Sequence, residues 1–125
     1  MPDVPTPFVL ELSDEASDYL DKDCHRDPRV RGQIQRKFWF IKGLLEQSGT
    51  LLDGDYIDKF VDEIWEIRID HSTAAYRMFF ATGLGNVLAV ACGGKKKRDE
   101  FTPNQKKEFV RRCRAYADEF RNRKA

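Results

Sequence analysis

Two neighbouring segments with alternating apolar side chains constrain the fold of this chain more than any other feature. In residues 65–70 and again in residues 76–80, a large apolar side chain occupies every second position. Only residues 71–74 connect the two segments, so the pattern predicts an antiparallel β-hairpin. A one-residue slip would turn the apolar set to the other face, which fixes the register. That register makes the following pairs: Trp65 with Phe80, Ile67 with Met78, Ile69 with Tyr76 and Asp70 with Ala75.

The same register places two like charges against each other on the opposite face. Arg68 lies directly across from Arg77, and like charges in that arrangement repel. Either an anion such as a phosphate normally lies between the two guanidinium groups, or salt bridges to Glu66 and Asp70 neutralise them, and such bridges contribute little in water. The face is predicted to be open, so we expect Arg77→Ala to change stability by no more than about 0.5 kcal/mol.

A third strand is predicted after the hairpin. Residues 83–85 form the predicted turn and residues 86–93 the strand, with Phe80 opposite Leu88. On the face of Arg77 this register places Ala89, Ala91, Gly93 and Lys95. Small residues beside paired arginines leave room for a ligand. Four consecutive cations then follow, which either contact nucleic acid or form a solvated loop: Lys95, Lys96, Lys97 and Arg98.

Capping signals define the remaining elements. A short edge strand over residues 8–12 is followed by a helix from Ser13 to near Cys24 and a second helix from Asp27 to Gly49. Residues 51–62 are predicted to be a loop or a short turn of helix. A capping box over residues 102–105 begins a last helix. The prediction is one α+β domain over residues 1–125, in the order β-α-α-β-β-β-α. A helical hairpin lies on one face of a small, mostly antiparallel sheet, and a C-terminal helix follows.

Charge is unevenly distributed along the chain. Residues 1–70 carry 16 acids and 9 bases, a net charge of −7, and residues 71–125 carry 5 acids and 13 bases, a net charge of +8, which together give the overall +1. The basic half either binds an anionic partner or presents solvated helix faces.

Other features of the composition exclude several classes of protein. No apolar stretch is long enough to cross a membrane, and no secretion signal is evident, so a cytoplasmic protein is expected. The two histidines and three widely spaced cysteines lack metal-ligand spacing. We therefore expect no metal and no cofactor, with the cysteines as buried apolar residues.

Several motifs resemble those of the RelE/ParE superfamily, the toxins of bacterial type II toxin–antitoxin systems. The resemblance covers roughly residues 8–120. It is strongest to the phage-derived, HigB-like branch, whose members carry a "W-E-L-R … Y-R" hairpin, a lysine-rich turn and a helix that begins with Thr-Pro. The matching segments here are Ile64–Arg68, Tyr76–Phe80, Lys95–Lys97 and Thr102–Pro103, with Glu108 in the helix.

The resemblance implies a RelE-like fold and an mRNA interferase, which is a metal-independent endoribonuclease that cleaves mRNA, often on the ribosome. In such toxins the 2′-hydroxyl attacks the neighbouring phosphate while basic side chains stabilise the transition state. Arg77 takes the position of the phosphate-contacting arginine, Arg68 that of a basic residue on the preceding strand, and Lys95 or Lys96 that of a basic residue after the last strand. The implied partner is an antitoxin encoded beside the toxin, a small helix-turn-helix protein.

For several other residues the sequence leaves two alternative roles open. His71 is either a general acid or an exposed turn residue, and Glu66 either a general base or a residue that orients Arg68 or Lys95. The candidate RNA-binding residues are Lys97, Arg98, Lys106 and Lys107, and the basic last helix binds either ribosomal RNA or the antitoxin.

Two departures from the family pattern favour an alternative function. Glu66 stands where RNA-cleaving members often have a lysine, and Phe101 lies where some have a tyrosine. The alternative is a non-enzymatic, ParE-like toxin that binds and inhibits a host protein such as DNA gyrase.

Overall fold

The computed structural model describes residues 6–51, 53–96 and 100–124. These residues form a five-stranded sheet with a helix-rich layer on one face and a single long helix on the other. In chain order the elements are β1 (Val9–Leu12), α1 (Asp14–Asp18), a π-helical turn (Tyr19–Asp23), α2 (Pro28–Ser48), β2 (Ile57–Val61), β3 (Ile64–His71), β4 (Ala74–Leu84), β5 (Val87–Lys96) and α3 (Pro103–Lys124).

The sheet has the strand order β1-β5-β4-β3-β2, with β1 parallel to β5 and all other neighbours antiparallel. This confirms an α+β fold with a mostly antiparallel sheet and a C-terminal helix. The prediction of a loop or a short turn of helix over residues 51–62 is wrong for Ile57–Val61, which form β2 as an extra edge strand. A bulge between Lys59 and Val61 breaks the alternation of β2, which removed the period-two signal from the sequence.

The first face of the sheet carries the larger core. Ser13 caps α1 by accepting a hydrogen bond from the Ala16 N–H, and Asp27 caps α2 in the same way through Arg29. Gly49 ends α2 with a φ of 81°, as the sequence predicts. One stripe of α2 is buried against the sheet: Ile34, Phe38, Ile41 and Leu45. We call this face the α2 face.

The opposite face, the α3 face, is only partly covered by α3. The predicted capping box is present: the Thr102 N–H donates to Gln105 Oε1 at 2.9 Å, and the Gln105 N–H donates to Thr102 Oγ1 at 3.2 Å. The apolar stripe of α3 packs on Phe79 and its neighbours in the sheet, and its buried residues are Phe109, Cys113, Ala117 and Phe120.

The register of the first hairpin is confirmed, whereas that of the second is wrong. In the β3–β4 pair Arg68 lies opposite Arg77 and Ile67 opposite Met78. In the β4–β5 pair Phe80 lies opposite Val90 rather than Leu88. The predicted turn at residues 83–85 belongs largely to β4, which extends to Leu84, and the chain reverses at residues 85–86.

The uneven charge of the sequence is largely matched inside the fold. Acidic side chains of the N-terminal half form ion pairs with α3, which folds back over them. These pairs are Glu11–Arg123, Glu15–Arg112, Asp62–Arg114 and Glu63–Arg114. Much of the basic charge of α3 therefore complements the chain itself. In the part of the chain that the structure describes, no helix is long and apolar enough to cross a membrane.

Candidate active site

Six charged side chains gather on the α3 face, where β3, β4 and β5 continue past α3. We call them the charged cluster: Asp58, Glu66, Arg68, Asp70, Arg77 and Lys96. Phe79, two residues from Arg77 on β4, marks the apolar part of the same face. Along β4, this face of the sheet therefore changes from an apolar core beneath α3 to the charged cluster.

Arg77 lies at the centre of the cluster and is buried, with 4% of its surface exposed. Its Nη1 donates to Asp70 Oδ1 and to the Tyr76 carbonyl, each at 3.0 Å. Its Nε lies 3.9 Å from Glu66 Oε1, and this buried atom has no hydrogen-bond partner. The prediction of an open position beside Ala89 and Ala91 is thus wrong: the cross-strand neighbour of Arg77 is Gly94.

Arg68 is bound by a carboxylate of the neighbouring edge strand, β2. Its Nη1 donates to Asp58 Oδ2 at 3.0 Å, and the side chain is one-third exposed. Its buried Nε also lacks a hydrogen-bond partner. Asp58 was not predicted as part of the site, because the bulge in β2 breaks the alternation of this segment and leaves no period-two signal in the sequence.

Glu66 is the least exposed carboxylate of the cluster, with 13% of its side chain exposed. Burial raises the pKa of Glu66 above its usual range, and the positive charges of Arg77, Lys96 and Arg68 oppose that shift. A carboxyl whose pKa moves toward neutrality exchanges a proton more readily under physiological conditions.

A bulge in β5 decides which lysine joins the cluster. Cys92 pairs with Phe79 and Val90 with Phe80, so Ala91 is an extra residue that reverses the parity of the strand beyond it. Lys96 therefore lies on the α3 face, with Nζ 5.9 Å from the centre of the Phe101 ring. Lys95, predicted for the arginine side, instead lies over the Tyr76 ring, which belongs to the core of the α2 face.

The other predicted site residues lie apart from the cluster or outside the described part of the chain. His71 is at the end of β3, and its Nδ1 lies 3.4 Å from Nζ of Lys37 on α2, so it is not brought to the arginines. Lys106, on α3, forms an ion pair at 3.8 Å with Glu100, which precedes the helix. Lys107 is exposed on α3. Lys97 and Arg98 are outside the described residues.

The cluster is electrically balanced, with three carboxylates and three cations. Both arginines already have carboxylate partners, and the partner of Arg77 nearest to solvent is Asp70, whose side chain is 63% exposed. A phosphate that approached Arg77 would compete with that carboxylate. Among the residues that the structure describes, no group of three or more His, Cys, Asp or Glu side chains is arranged to hold a metal ion.

Comparison with protein families identifies the class. Residues 29–114 match the model of the family described as "Phage derived protein Gp49-like (DUF891)". The match spans α2, the four-strand meander and the first half of α3. The chain therefore belongs to the phage-derived Gp49-like family, a RelE/ParE-like family of toxins in toxin–antitoxin systems. A comparison with curated proteins finds no match.

Proposed function

We propose that this protein is the toxin of a type II toxin–antitoxin system and acts in the cytoplasm as a metal-independent endoribonuclease on mRNA. One observation carries the proposal: Arg68 and Arg77 lie opposite each other beside a buried glutamate whose pKa is raised. Cations that can contact a phosphate and a carboxylate that can take a proton are the groups that RNA cleavage by the 2′-hydroxyl requires.

The reaction assigns a role to each group. Ionised Glu66 accepts the proton of the 2′-hydroxyl, whose oxygen attacks the adjacent phosphorus. The bond from phosphorus to the 5′-oxygen breaks, and this oxygen takes a proton from solvent water, which leaves a 2′,3′-cyclic phosphate and a 5′-hydroxyl. Arg77, joined by Arg68 and Lys96, stabilises the extra negative charge of the transition state. Because the 2′-hydroxyl is the nucleophile, the activity is specific for RNA.

Substrate binding must first open the ion pairs of the cluster. The phosphate replaces Asp70 on Arg77, and Asp58 on Arg68, as the acceptor of hydrogen bonds from the guanidinium groups. We expect Asp70→Asn to strengthen the binding of a non-cleavable 2′-O-methyl RNA about tenfold, because one competing charge is removed. Asp118→Asn, which alters the exposed Asp118–Arg121 pair on α3, is the matched control.

The experiment that tests the proposal follows cleavage of labelled mRNA by the purified protein, with and without translating ribosomes. We expect cleavage that survives a chelator, products with cyclic phosphate ends, and no cleavage of the all-deoxy analogue. Intact mRNA under both conditions, with a protein that is toxic in cells, would contradict the proposal.

A second candidate function is inhibition of a host protein such as DNA gyrase. It is favoured by the balanced charge of the cluster and by exposed aromatic side chains on α2, because a protein inhibitor needs apolar contact area and no phosphate site. Separate labelling of RNA and DNA synthesis after induced expression distinguishes the two. Early loss of DNA synthesis with intact mRNA supports the inhibitor.

A further inference from the structure

A pocket opens at the edge of the sheet, between α2, the end of β3 and the segment that precedes β2. Its volume is about 420 Å³, which lies within the range of roughly 300–1,000 Å³ that small-molecule sites occupy. We call it the edge pocket. Most of the residues that line it have no role in the reaction proposed above.

The edge pocket is continuous with the charged cluster. Arg68 and Asp70 belong to the cluster and also line the pocket. When Arg68 contacts a phosphate of single-stranded RNA, the neighbouring nucleotide of that strand therefore lies at the mouth of the pocket. This continuity favours an occupant that is part of the substrate of the cluster.

The walls of the pocket are suited to an aromatic ring. Phe40 is 57% exposed and Tyr56 46% exposed, and their rings meet edge to face with centres 5.7 Å apart. Buried Ile41 and Ile69 line the pocket beside them. Single-stranded RNA is recognised through unstacked bases that lie on aromatic side chains. The exposed rings therefore offer a stacking surface to a base that leaves the stack of its own strand.

Two cations of α2 lie beside these rings. Arg36 is exposed and forms no ion pair with the residues that the structure describes. Lys37 donates from Nζ to the Asp70 carbonyl at 2.7 Å, which holds its charge at the pocket. Cations that contact the backbone and aromatic rings that stack the bases are the two components of single-strand binding sites.

One carboxylate gives the pocket a base preference. Asp55 lines the pocket, and its side chain has no cationic partner within the described part of the chain. A carboxylate repels phosphate, so its complement in RNA is a base edge that carries donors. Guanine alone presents two adjacent donor groups there, the N1–H and the N2 amino group, which match the two oxygens of a carboxylate. Adenine, cytosine and uracil each present one.

We propose that the edge pocket is a base-binding subsite, in which a guanine next to the scissile phosphate stacks on Phe40 and Tyr56 and donates to Asp55. Arg36 and Lys37 contact the backbone of the same nucleotide. The proposal rests on RNA being the substrate of the charged cluster, and it adds a sequence preference to the proposed function. The cluster cleaves, and the pocket selects the position of cleavage.

The test measures binding of labelled 2′-O-methyl RNA hexamers to the purified full chain by fluorescence anisotropy. The hexamers cannot be cleaved, and a single guanine replaces adenine at each position in turn. We expect one position at which guanine binds about tenfold more tightly than adenine. Asp55→Asn should abolish this preference without weakening the all-adenine hexamer, because the amide offers one acceptor and places a donor against the base. Phe40→Ala and Tyr56→Ala should each weaken every hexamer about tenfold.

Each class of substitution has a matched control. Trp39→Ala removes a 54% exposed aromatic side chain next to Phe40 but outside the pocket, and we expect a change of less than about threefold. Arg36→Glu should weaken binding about fivefold, and more strongly at low salt. Arg29→Glu makes the same change of charge on α2 at a 92% exposed side chain outside the pocket, and we expect less than about a twofold effect at physiological salt.

Cleavage of mRNA by the same variants separates the failure of this proposal from the failure of the proposed function. A guanine preference that depends on Asp55, Phe40 and Tyr56 supports the pocket even if the chain does not cleave RNA. Cleavage by a parent chain that shows no base preference, or that the three substitutions leave unchanged, overturns the pocket but not the proposed function. Unchanged RNA affinity together with loss of binding to a protein partner in these variants also overturns it, and would assign the pocket to that partner.

Discussion

Two halves of one sheet face, separated by two residues along β4, have opposite chemistry. Phe79 is fully buried beneath α3, and its ring stacks on Phe109 with centres 4.3 Å apart. Arg77 is almost as buried, but carboxylates and a carbonyl surround it instead of rings. The apolar half holds the fold together, whereas the charged half contains two buried nitrogens, Arg68 Nε and Arg77 Nε, without a hydrogen-bond partner among the described residues.

The largest expected effect comes from breaking the apolar half. Phe79→Ala removes a ring that contacts Phe60, Phe101 and Phe109, so we expect the free energy of unfolding to fall by about 3–5 kcal/mol. Denaturant unfolding measures it, and Trp39→Ala, at an exposed site, should stay within about 0.5 kcal/mol. A small change for Phe79→Ala would mean that α3 does not pack on this half.

Removing the central cation of the charged half should have a smaller effect on stability. Arg77→Ala leaves the buried carboxylate of Glu66 without its nearest cation, and we expect a loss of about 2–3 kcal/mol in the free energy of unfolding. This replaces the nearly neutral effect that the sequence analysis predicts for an open face. If burial of charge is the cause, adding Glu66→Gln to Arg77→Ala should recover part of the loss, and an additive double variant would count against it.

Adjacent glycines of β5 allow the close approach of an aromatic ring on each side of the sheet. A Cβ atom at Gly93 would lie 2.3 Å from the Tyr19 ring on the α2 face, and one at Gly94 would lie 2.7 Å from the Phe109 ring on the α3 face. We expect Gly93→Ala to destabilise the fold by about 1–3 kcal/mol in thermal unfolding. Gly43→Ala on α2, where a Cβ meets open space, should instead stabilise it by about 0.5–1 kcal/mol. Equal effects would contradict the packing of Tyr19 on β5.

The smallest effect concerns the pH dependence of stability. Burial raises the folded-state pKa of Glu66, so the folded state binds the carboxyl proton more tightly than the unfolded state does. The stability that this proton contributes is lost as the pH rises from about 4.5 through the folded-state pKa. Glu66→Gln should therefore be more favourable, relative to the parent, at pH 7 than at pH 4. Glu63→Gln is the control with the opposite sign, because Arg114 lowers the pKa of Glu63. The same sign for both variants in urea unfolding would refute the assignment.

Local signals in the sequence were sufficient for the helices and the first hairpin. The helix caps are contacts between near neighbours in the chain, and they are made by Ser13, Asp27, Gly49 and the capping box at Thr102. The alternation of apolar residues in β3 and β4 allows a single register. They could be predicted because each depends on residues close in sequence.

The rest of the site depends on irregularities and long-range contacts that leave little trace in the sequence. The bulge at Ala91 places Lys96, rather than Lys95, on the face of the charged cluster. The bulge in β2 removes the alternation that would have predicted a strand at Asp58. The burial of Arg77 arises from Asp70 and Glu66 folding against it, which no periodicity encodes. The arginine pair was thus predictable, but the carboxylates that neutralise it were only partly so.

The most direct test of the central claim compares two arginines that each pair with two carboxylates. Arg77 pairs with Asp70 and Glu66 in the cluster, and Arg114 pairs with Asp62 and Glu63 at the surface. Each is changed to lysine, which keeps the charge but loses the planar guanidinium, and the rate of mRNA cleavage is measured beside the melting temperature. We predict that Arg77→Lys lowers the rate about 10²-fold while the protein still unfolds cooperatively, and that Arg114→Lys cleaves at the parent rate. Equal rates for the two variants would contradict the assignment of the charged cluster as the active site.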